Sequence, residues 1–416
     1  MRTVPESSPS DSIKPSEVET STTDDSRVVI FALWLLVFSA SSQLMIVVAM
    51  LPEIGKQLQV SDDKQGLLVS IYAAMVGVFA LVIGPISDKI GRRKVLLAGT
   101  GLMTAALGMH AVVTDYTGLL IVRTLAGIAG GVLSGAAVSY VGDYFPYERR
   151  GWANGWVMSG IAAGQIAGVP LGALLSDRFG FRTPFLIFAA TMGATFLLIL
   201  KRVPQPLVEM NAGRLTLKRA FSEYLGLIKQ KDIAIAALVF ALLFFSMALY
   251  ITYFPAWLTA SREATPNRIA ALFFTGGIAS VLTGPFVGKL SDTAGRKPLI
   301  LGSSLGLFLL MGGVTFIIRD FWLAFPVFFF SSVLMAARMS PYQALLSALV
   351  PSNQRGSLMS LTVSLGQIGF ATGAALAGVV YARFGYQAST FFGAAVVLFV
   401  AVLIWRFLPE PKLQKQ

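Results

Sequence analysis

The chain has 416 residues, 55% of them hydrophobic and only 13% charged, with a net charge of +12. Soluble domains carry about a quarter charged residues, so this composition cannot cover a water-facing surface of such a size. With no cysteine and a single histidine, His110, the chain has no means of forming disulfides, thiolate nucleophiles or multi-histidine metal centres.

Residues 1–27 are rich in Ser, Thr, Pro and acids. They lack the basic start and apolar middle of a cleaved leader, and their composition predicts a disordered cytoplasmic tail. Apolar runs then recur to the end. Twelve spans are predicted, at about 28–51, 65–87, 95–113, 117–142, 152–175, 184–202, 233–258, 268–288, 298–318, 322–348, 357–381 and 389–408. Each is long enough to cross a hydrocarbon core of about 30 Å. The expectation is an all-α membrane protein with little soluble mass.

An even number of spans puts both termini on one side. With that side cytoplasmic, 23 Lys and Arg lie inside and 8 outside, while Arg123 and Arg338 fall within spans. The bias sets the orientation, and it directs the basic charge at anionic lipid headgroups, leaving no need for a nucleic acid. Residues 203–232 form the longest internal loop. Within it, Leu217, Phe221, Tyr224, Leu225 and Ile228 recur at helical spacing among Lys and Arg. This predicts an amphipathic helix lying along the inner membrane surface. A tail at 409–416 closes the chain.

The loop GPISDKIGRRKVL at 84–96 returns as GKLSDTAGRKPLI at 288–300. Gly84, Asp88, Gly91 and Arg92 match Gly288, Asp292, Gly295 and Arg296. After one indel, Pro146, Arg150 and Gly151 match Pro351, Arg355 and Gly356; Gly164 and Gly168 match Gly369 and Gly373; and Arg178-Phe179-Gly180 matches Arg383-Phe384-Gly385. Ordered matches in three regions predict two six-span repeats in the same orientation, 28–202 and 233–408.

Twelve spans, a 6+6 repeat and two copies of the pattern GxLxDxxGRR resemble the major facilitator superfamily, and within it the twelve-helix drug:proton antiporters. The pattern stands as Gly84, Ile86, Asp88, Gly91, Arg92 and Arg93, then as Gly288, Leu290, Asp292, Gly295, Arg296 and Lys297. The resemblance implies two six-helix bundles related by a pseudo-two-fold axis and transport by alternating access. It also implies that this loop latches the cytoplasmic side in the outward-open state.

The residues give the latch a physical basis. Gly84 and Gly288 leave room for close helix approach. Asp88 and Asp292 lie where other spans begin, and an acid near a helix start is favoured by about 0.3–1 kcal/mol. Repeat symmetry pairs Asp88 with the start of span eleven near Gly356, and Asp292 with that of span five near Gly151. Arg92 and Arg93 can bridge to Asp143 and Glu148.

The resemblance further implies that spans one, four, seven and ten line the central path. Their candidate substrate contacts are Gln43, Arg123, Tyr250, Tyr253, Arg338, Tyr342 and Gln343. Arg338 falls near mid-membrane, where a charge costs about 2.5–3.5 kcal/mol, and no acid has comparable depth. It therefore needs a substrate anion or backbone carbonyls as partner. Arg123 lies in RTLAGIAGG, which resembles the RxxxG element of proton-coupled relatives; a packing bond to span one is the other reading. Span five carries Gly155, Gly164, Gly168, Pro170 and Gly172, an imperfect likeness of the exporter motif that also reads as close packing and bending. Glu53 and Asp143 are the proton-carrier candidates, both peripheral, and a packed or interfacial role is expected for His110.

The reading is a secondary transporter of the plasma or bacterial inner membrane. It would export a small amphipathic or anionic organic compound, with protons as the counter-ion and no cofactor, and is expected as a monomer. Alternatives are a facilitator or importer of an organic anion, and a receptor that kept the fold without the flux. No nucleophile–base pair or metal cluster points to an enzyme, and no nucleotide-binding GxxxxGK[ST] is present.

Overall fold

The computed structural model describes residues 23–206, 217–351 and 354–408, and among these every regular element is helical. Before the linker come α1 (Thr23–Leu58), α2 (Asp62–Ile90), α3 (Arg92–Met109), α4 (Tyr116–Leu133), α5 (Ala136–Tyr144), α6 (Tyr147–Ala163), α7 (Val169–Phe179) and α8 (Arg182–Arg202). The linker holds α9 (Leu217–Ile228). After it come α10 (Lys231–Ile251), α11 (Phe254–Arg262), α12 (Pro266–Ala294), α13 (Arg296–Ile317), α14 (Ala324–Ala348) and α15 (Arg355–Phe407). Ten segments of the described residues are long and apolar enough to cross a membrane, and the 53-residue α15 is broken by non-helical Gly385. Of the tail predicted at 1–27, residues 1–22 lie outside the described residues, as do linker residues 207–216 and the tail 409–416, whereas 23–27 are not disordered but form the first residues of α1.

α1–α8 pack among themselves, as do α10–α15, and the two groups meet mainly along α2 against α15 and α7 against α12. The sequence repeat recurs in backbone conformation. Gly91 (φ 96°, ψ 144°) and Gly295 (φ 90°, ψ 150°) turn the chain between consecutive helices with the same geometry. Gly180 (φ 85°, ψ 158°) and Gly385 (φ 76°, ψ 176°) form a second matched pair. A side chain rarely adopts such angles, which is why these glycines survive in both copies. Beside the first pair, Arg93 donates to the Leu200 carbonyl at 2.7 Å and Lys297 to the Trp405 carbonyl at 2.8 Å, positions related by the same repeat.

Three expected spans are interrupted, span seven among them at Thr252 and Tyr253 between α10 and α11. Span four turns at Gly135 (φ 70°) between α4 and α5. Span five passes from α6 to α7 through a π-helical turn at Gly164–Gly168. The amphipathic linker helix forms as α9, and one side of it packs on the bundle. Tyr224 donates to the Leu81 carbonyl of α2, and Leu227 packs with Val350, Leu358 and Leu361, while Phe221, Leu225 and Ile228 stay exposed. Burial and neighbouring Glu223 push the Tyr224 phenol up from its ordinary pKa, so it keeps its donor proton.

Candidate functional site

The α2–α3 and α12–α13 turns carry the clustered Lys and Arg, and they define the basic end of the bundle. At the opposite end the seam between the two groups is sealed. Tyr253 of α10–α11 donates to the Asp62 carbonyl and accepts from the Gly66 amide at 2.7 Å, tying itself to the start of α2. A Cβ on Gly66 would stand 2.4 Å from the Ala374 carbonyl oxygen, and one on Gly277 of α12 would stand 3.0 Å from the π-turn residue Ile166. Toward the basic end the packing loosens: Gly84, Gly151 and Gly356 face open space within 4 Å.

Between these extremes lies a cavity of about 630 Å³. Five methionines line it: Met45, Met158, Met247, Met335 and Met339. Its polar lining includes Arg338, Gln343, Gln165, Gln367, Ser41 and Tyr72. A smaller neighbour of about 110 Å³ shares Met45, Gln165, Met247, Ser280 and Met335 with it. That neighbour adds Tyr250, Phe273, Phe328, Ser331 and Ser332, with the Tyr250 hydroxyl 3.0 Å from Ser331 Oγ.

Arg338 is the notable group. It is 1% exposed, yet its Nε and Nη1 are fully buried with no hydrogen-bond partner. The Gln367 Oε1, on the wall of the same cavity, is also unpartnered. A buried guanidinium without an acid is costly, and an anion entering the cavity would relieve that cost. The backbone-carbonyl alternative finds no support in the described contacts of Arg338.

Of the seven substrate candidates, Arg338 and Gln343 line the large cavity and Tyr250 the small one. The other four line neither cavity. Arg123 is fully buried; its Nε donates to the Leu68 carbonyl and its Nη2 to the Gln43 carbonyl, each at 3.2 Å, and it stacks 4.2 Å over Tyr72. It ties α4 to α1 and α2, which is the packing role. The Gln43 side chain donates to Ser39 within α1. Tyr253 serves the seal, and Tyr342 donates to the Ala236 carbonyl at 2.6 Å inside a separate apolar cluster. Arg123→Ala should therefore lower stability by about 1–3 kcal/mol, from the two charge-assisted hydrogen bonds lost and the space left under Tyr72. Thermal unfolding would check this, and the pattern of ligand responses should stay unchanged.

Gln165, Gln367 and the methionines were missed as site residues. Gln165 faces both cavities from the π turn, whereas its repeat mate Phe370, in a regular α-helical stretch of α15, is fully buried. Gln165→Leu should weaken ligands carrying a neutral hydrogen-bonding group roughly three- to tenfold and spare purely apolar ones. Binding titrations over a ligand panel would read it.

Among the latch candidates, Arg92 Nε pairs with Asp143 Oδ2 at 2.6 Å, as the residues predicted. Arg93 goes instead to Leu200, with its amide on Gln205, and not to Glu148. Arg296 donates to the Ala344 carbonyl at 2.9 Å. Among the described residues, nothing stands within 4 Å of a Cβ at Gly84, so the close approach expected there is not seen in this conformation. The Asp88 and Asp292 side chains and the surroundings of Gly288 lie outside the described residues. Glu53 accepts from Gln57 and lines a 270 Å³ pocket at the opposite end with Lys56, Ser176 and Asp177. His110 is fully buried, stacked on Phe185 with Nδ1 at 2.8 Å from the Ala106 carbonyl, a packed histidine.

The sequence and the fold have counterparts among known proteins. The family model of the Major Facilitator Superfamily matches residues 33–262 and again 236–416, once for each repeat. Multidrug resistance protein MdtG of Proteus mirabilis (strain HI4320) is 26% identical over 401 residues, covering 92% of this chain and 96% of that relative. The uncharacterized MFS-type transporter YceJ of Bacillus subtilis (strain 168) is 26% identical over 362 residues, covering 85% of this chain and 88% of its own. The crystal structure of a D-xylose-proton symporter superposes with a TM-score of 0.74 at 17% identity, covering 94% of this chain and 99% of that one. That of the human organic anion transporter MFSD10 (TETRAN) gives 0.67 at 18%, covering 91% and 99%. A helical bundle of membrane-crossing segments, a repeat that the family model finds twice and a cavity between the repeats converge: this chain belongs to the Major Facilitator Superfamily and is a multi-pass membrane transporter rather than an enzyme.

Proposed function

We propose that the chain is a twelve-span secondary transporter that exports a small amphipathic or anionic organic compound by alternating access, driven by protons. Its bundles are 28–202 and 233–408, joined by the 203–232 linker, with tails 1–27 and 409–416 on the cytoplasmic side of a plasma or bacterial inner membrane. The observation that carries the reading is Arg338, a buried guanidinium with unpartnered nitrogens on the wall of a methionine-lined cavity. Methionine is unbranched and polarizable, suited to varied apolar shapes, and a lone cation orients an anion among them. The relatives named for multidrug resistance support export.

With the basic end cytoplasmic, this conformation faces inward, and the latch of Asp88 and Asp292 belongs to the opposite state. Glu53 and Asp143 are the proton carriers of this reading. Both are peripheral, which keeps a facilitator or importer of an organic anion as the second reading.

Flux in proteoliposomes with and without a pH gradient tests the coupling; gradient-independent flux would favour the facilitator. A thermal-shift screen against anionic and neutral compounds, repeated with Arg338→Ala, tests the site. If the variant keeps every ligand response of the parent, the assignment fails. Ligand binding with no counterflow would turn the reading toward a receptor.

A further inference from the structure

A second binding surface lies on the far side of α1 and α6 from the cavity. Leu36, Val37, Met158 and Ile161 of these helices face the cavity. On their outward side, Arg27, Ile30, Phe31, Trp34, Trp152 and Trp156 enclose a groove of about 360 Å³. Three of the six tryptophans of the chain meet there.

The groove is built as a shelf. The Phe31 and Trp34 rings stack at 6.3 Å and 13°, and Trp34 and Phe38 at 5.5 Å and 6°. The Trp34 indole N–H donates to Ser159 Oγ at 3.1 Å, so its polar edge is satisfied and its faces are left for apolar contact. Phe31, Trp152 and Trp156 remain at least half exposed, at 53%, 50% and 57%. At the rim, the Arg149 guanidinium stands 5.7 Å over the Trp152 ring, and Arg27 contributes to the wall. Arg27 lies in the second turn of α1 and Arg149 in the first turn of α6, and both helices begin at the basic end.

We propose that this groove binds an anionic phospholipid, with the phosphate between Arg27 and Arg149 and an acyl chain along the stacked rings. The charge argues for the occupant. A neutral lipid has no use for two arginines, and a soluble acid has no use for an aromatic shelf on the outer wall. Indoles sit well at headgroup depth, one face in hydrocarbon and the N–H toward the interface. Basic side chains at that depth attract anionic lipid. The inference does not depend on the transported compound.

Tryptophan quenching by brominated lipid reads the groove directly. The full-length protein is reconstituted in phosphatidylcholine vesicles containing equal mole fractions of either brominated phosphatidylglycerol or brominated phosphatidylcholine. Phosphatidylglycerol should quench more than phosphatidylcholine. The excess should vanish in Arg27→Gln/Arg149→Gln, with relative affinity falling roughly fivefold per arginine. It should fall to the share of Trp34 in Trp152→Phe/Trp156→Phe, which leaves Trp34 in the groove and Trp257, Trp322 and Trp405 outside it as internal reference. Circular dichroism of each variant verifies folding. Equal quenching by both lipids, or an excess surviving the arginine pair, overturns the proposal. Groove tryptophans quenched by neither lipid would overturn it too, because a protein segment would then cover the shelf.

Discussion

Arg338→Met should raise the melting temperature of the ligand-free protein and abolish its stabilisation by organic anions. The two effects have one cause. A charge at membrane depth costs about 2.5–3.5 kcal/mol, and the Nε and Nη1 of Arg338 recover none of it through hydrogen bonds. Methionine is of similar length and matches Met335 and Met339 beside it, so the cavity wall keeps its shape. The gain in the empty protein should be of order 1 kcal/mol or more, and the loss should be selective for ligands with a negative group. Arg338→Lys should fall between, because an ammonium keeps the charge without the planar fork. Thermal unfolding with and without an aromatic carboxylate probe checks all three proteins together. A lower melting temperature for Arg338→Met would mean that the guanidinium holds the fold and serves no ligand.

Gly369→Ala should be among the most damaging single substitutions in the chain. α15 crosses α10 so closely that a Cβ at Gly369 would lie 2.1 Å from the Ala241 carbonyl oxygen and 2.8 Å from its carbon. Those are backbone atoms and cannot turn aside, so the helices must separate. Overpacking of this kind typically costs about 1–3 kcal/mol. Gly168, which shares the glycine spacing in span five, offers the control. Its Cβ would meet the Ser42 hydroxyl at 2.2 Å, a side-chain terminus that rotates away. Gly168→Ala should therefore be milder than Gly369→Ala. The surviving monodisperse fraction after heating, read by size-exclusion chromatography, would rank them; an inverted order would contradict the argument.

The difference between these two glycines also marks where sequence reading stopped. Matched glycines were legible because a turn with φ above +70° or a tight crossing leaves one residue type, and that constraint writes itself twice in a duplicated chain. Arg338 was legible because a charge in an apolar run has few explanations. Side-chain direction was not. Tyr342 and Gln343 are neighbours on α14, yet one turns to the Ala236 carbonyl in a packed cluster and the other faces the cavity. A helix that is apolar around its whole circumference gives no sign of its rotation. Arg123 looked like a site because RTLAGIAGG resembles the RxxxG element, with packing as the other reading; the positions of the Leu68 and Gln43 carbonyls show it bonded between helices. Gln165 was hidden by the π turn, a change of helical pitch that leaves no mark in residue spacing.

The methionine wall sets how such a cavity can hold its cargo. An unbranched side chain must surrender rotational freedom whenever a guest fixes it, at about 0.5–1.5 kcal/mol apiece. Five of them together put a ceiling on affinity that no single guest escapes, and they level the differences between guests of unlike outline. Loose grip is an advantage to a carrier that must let go on the far side in every cycle. In the function proposed above, the chain would trade tenacity for breadth and turnover, with one cation left to say which way round the guest lies.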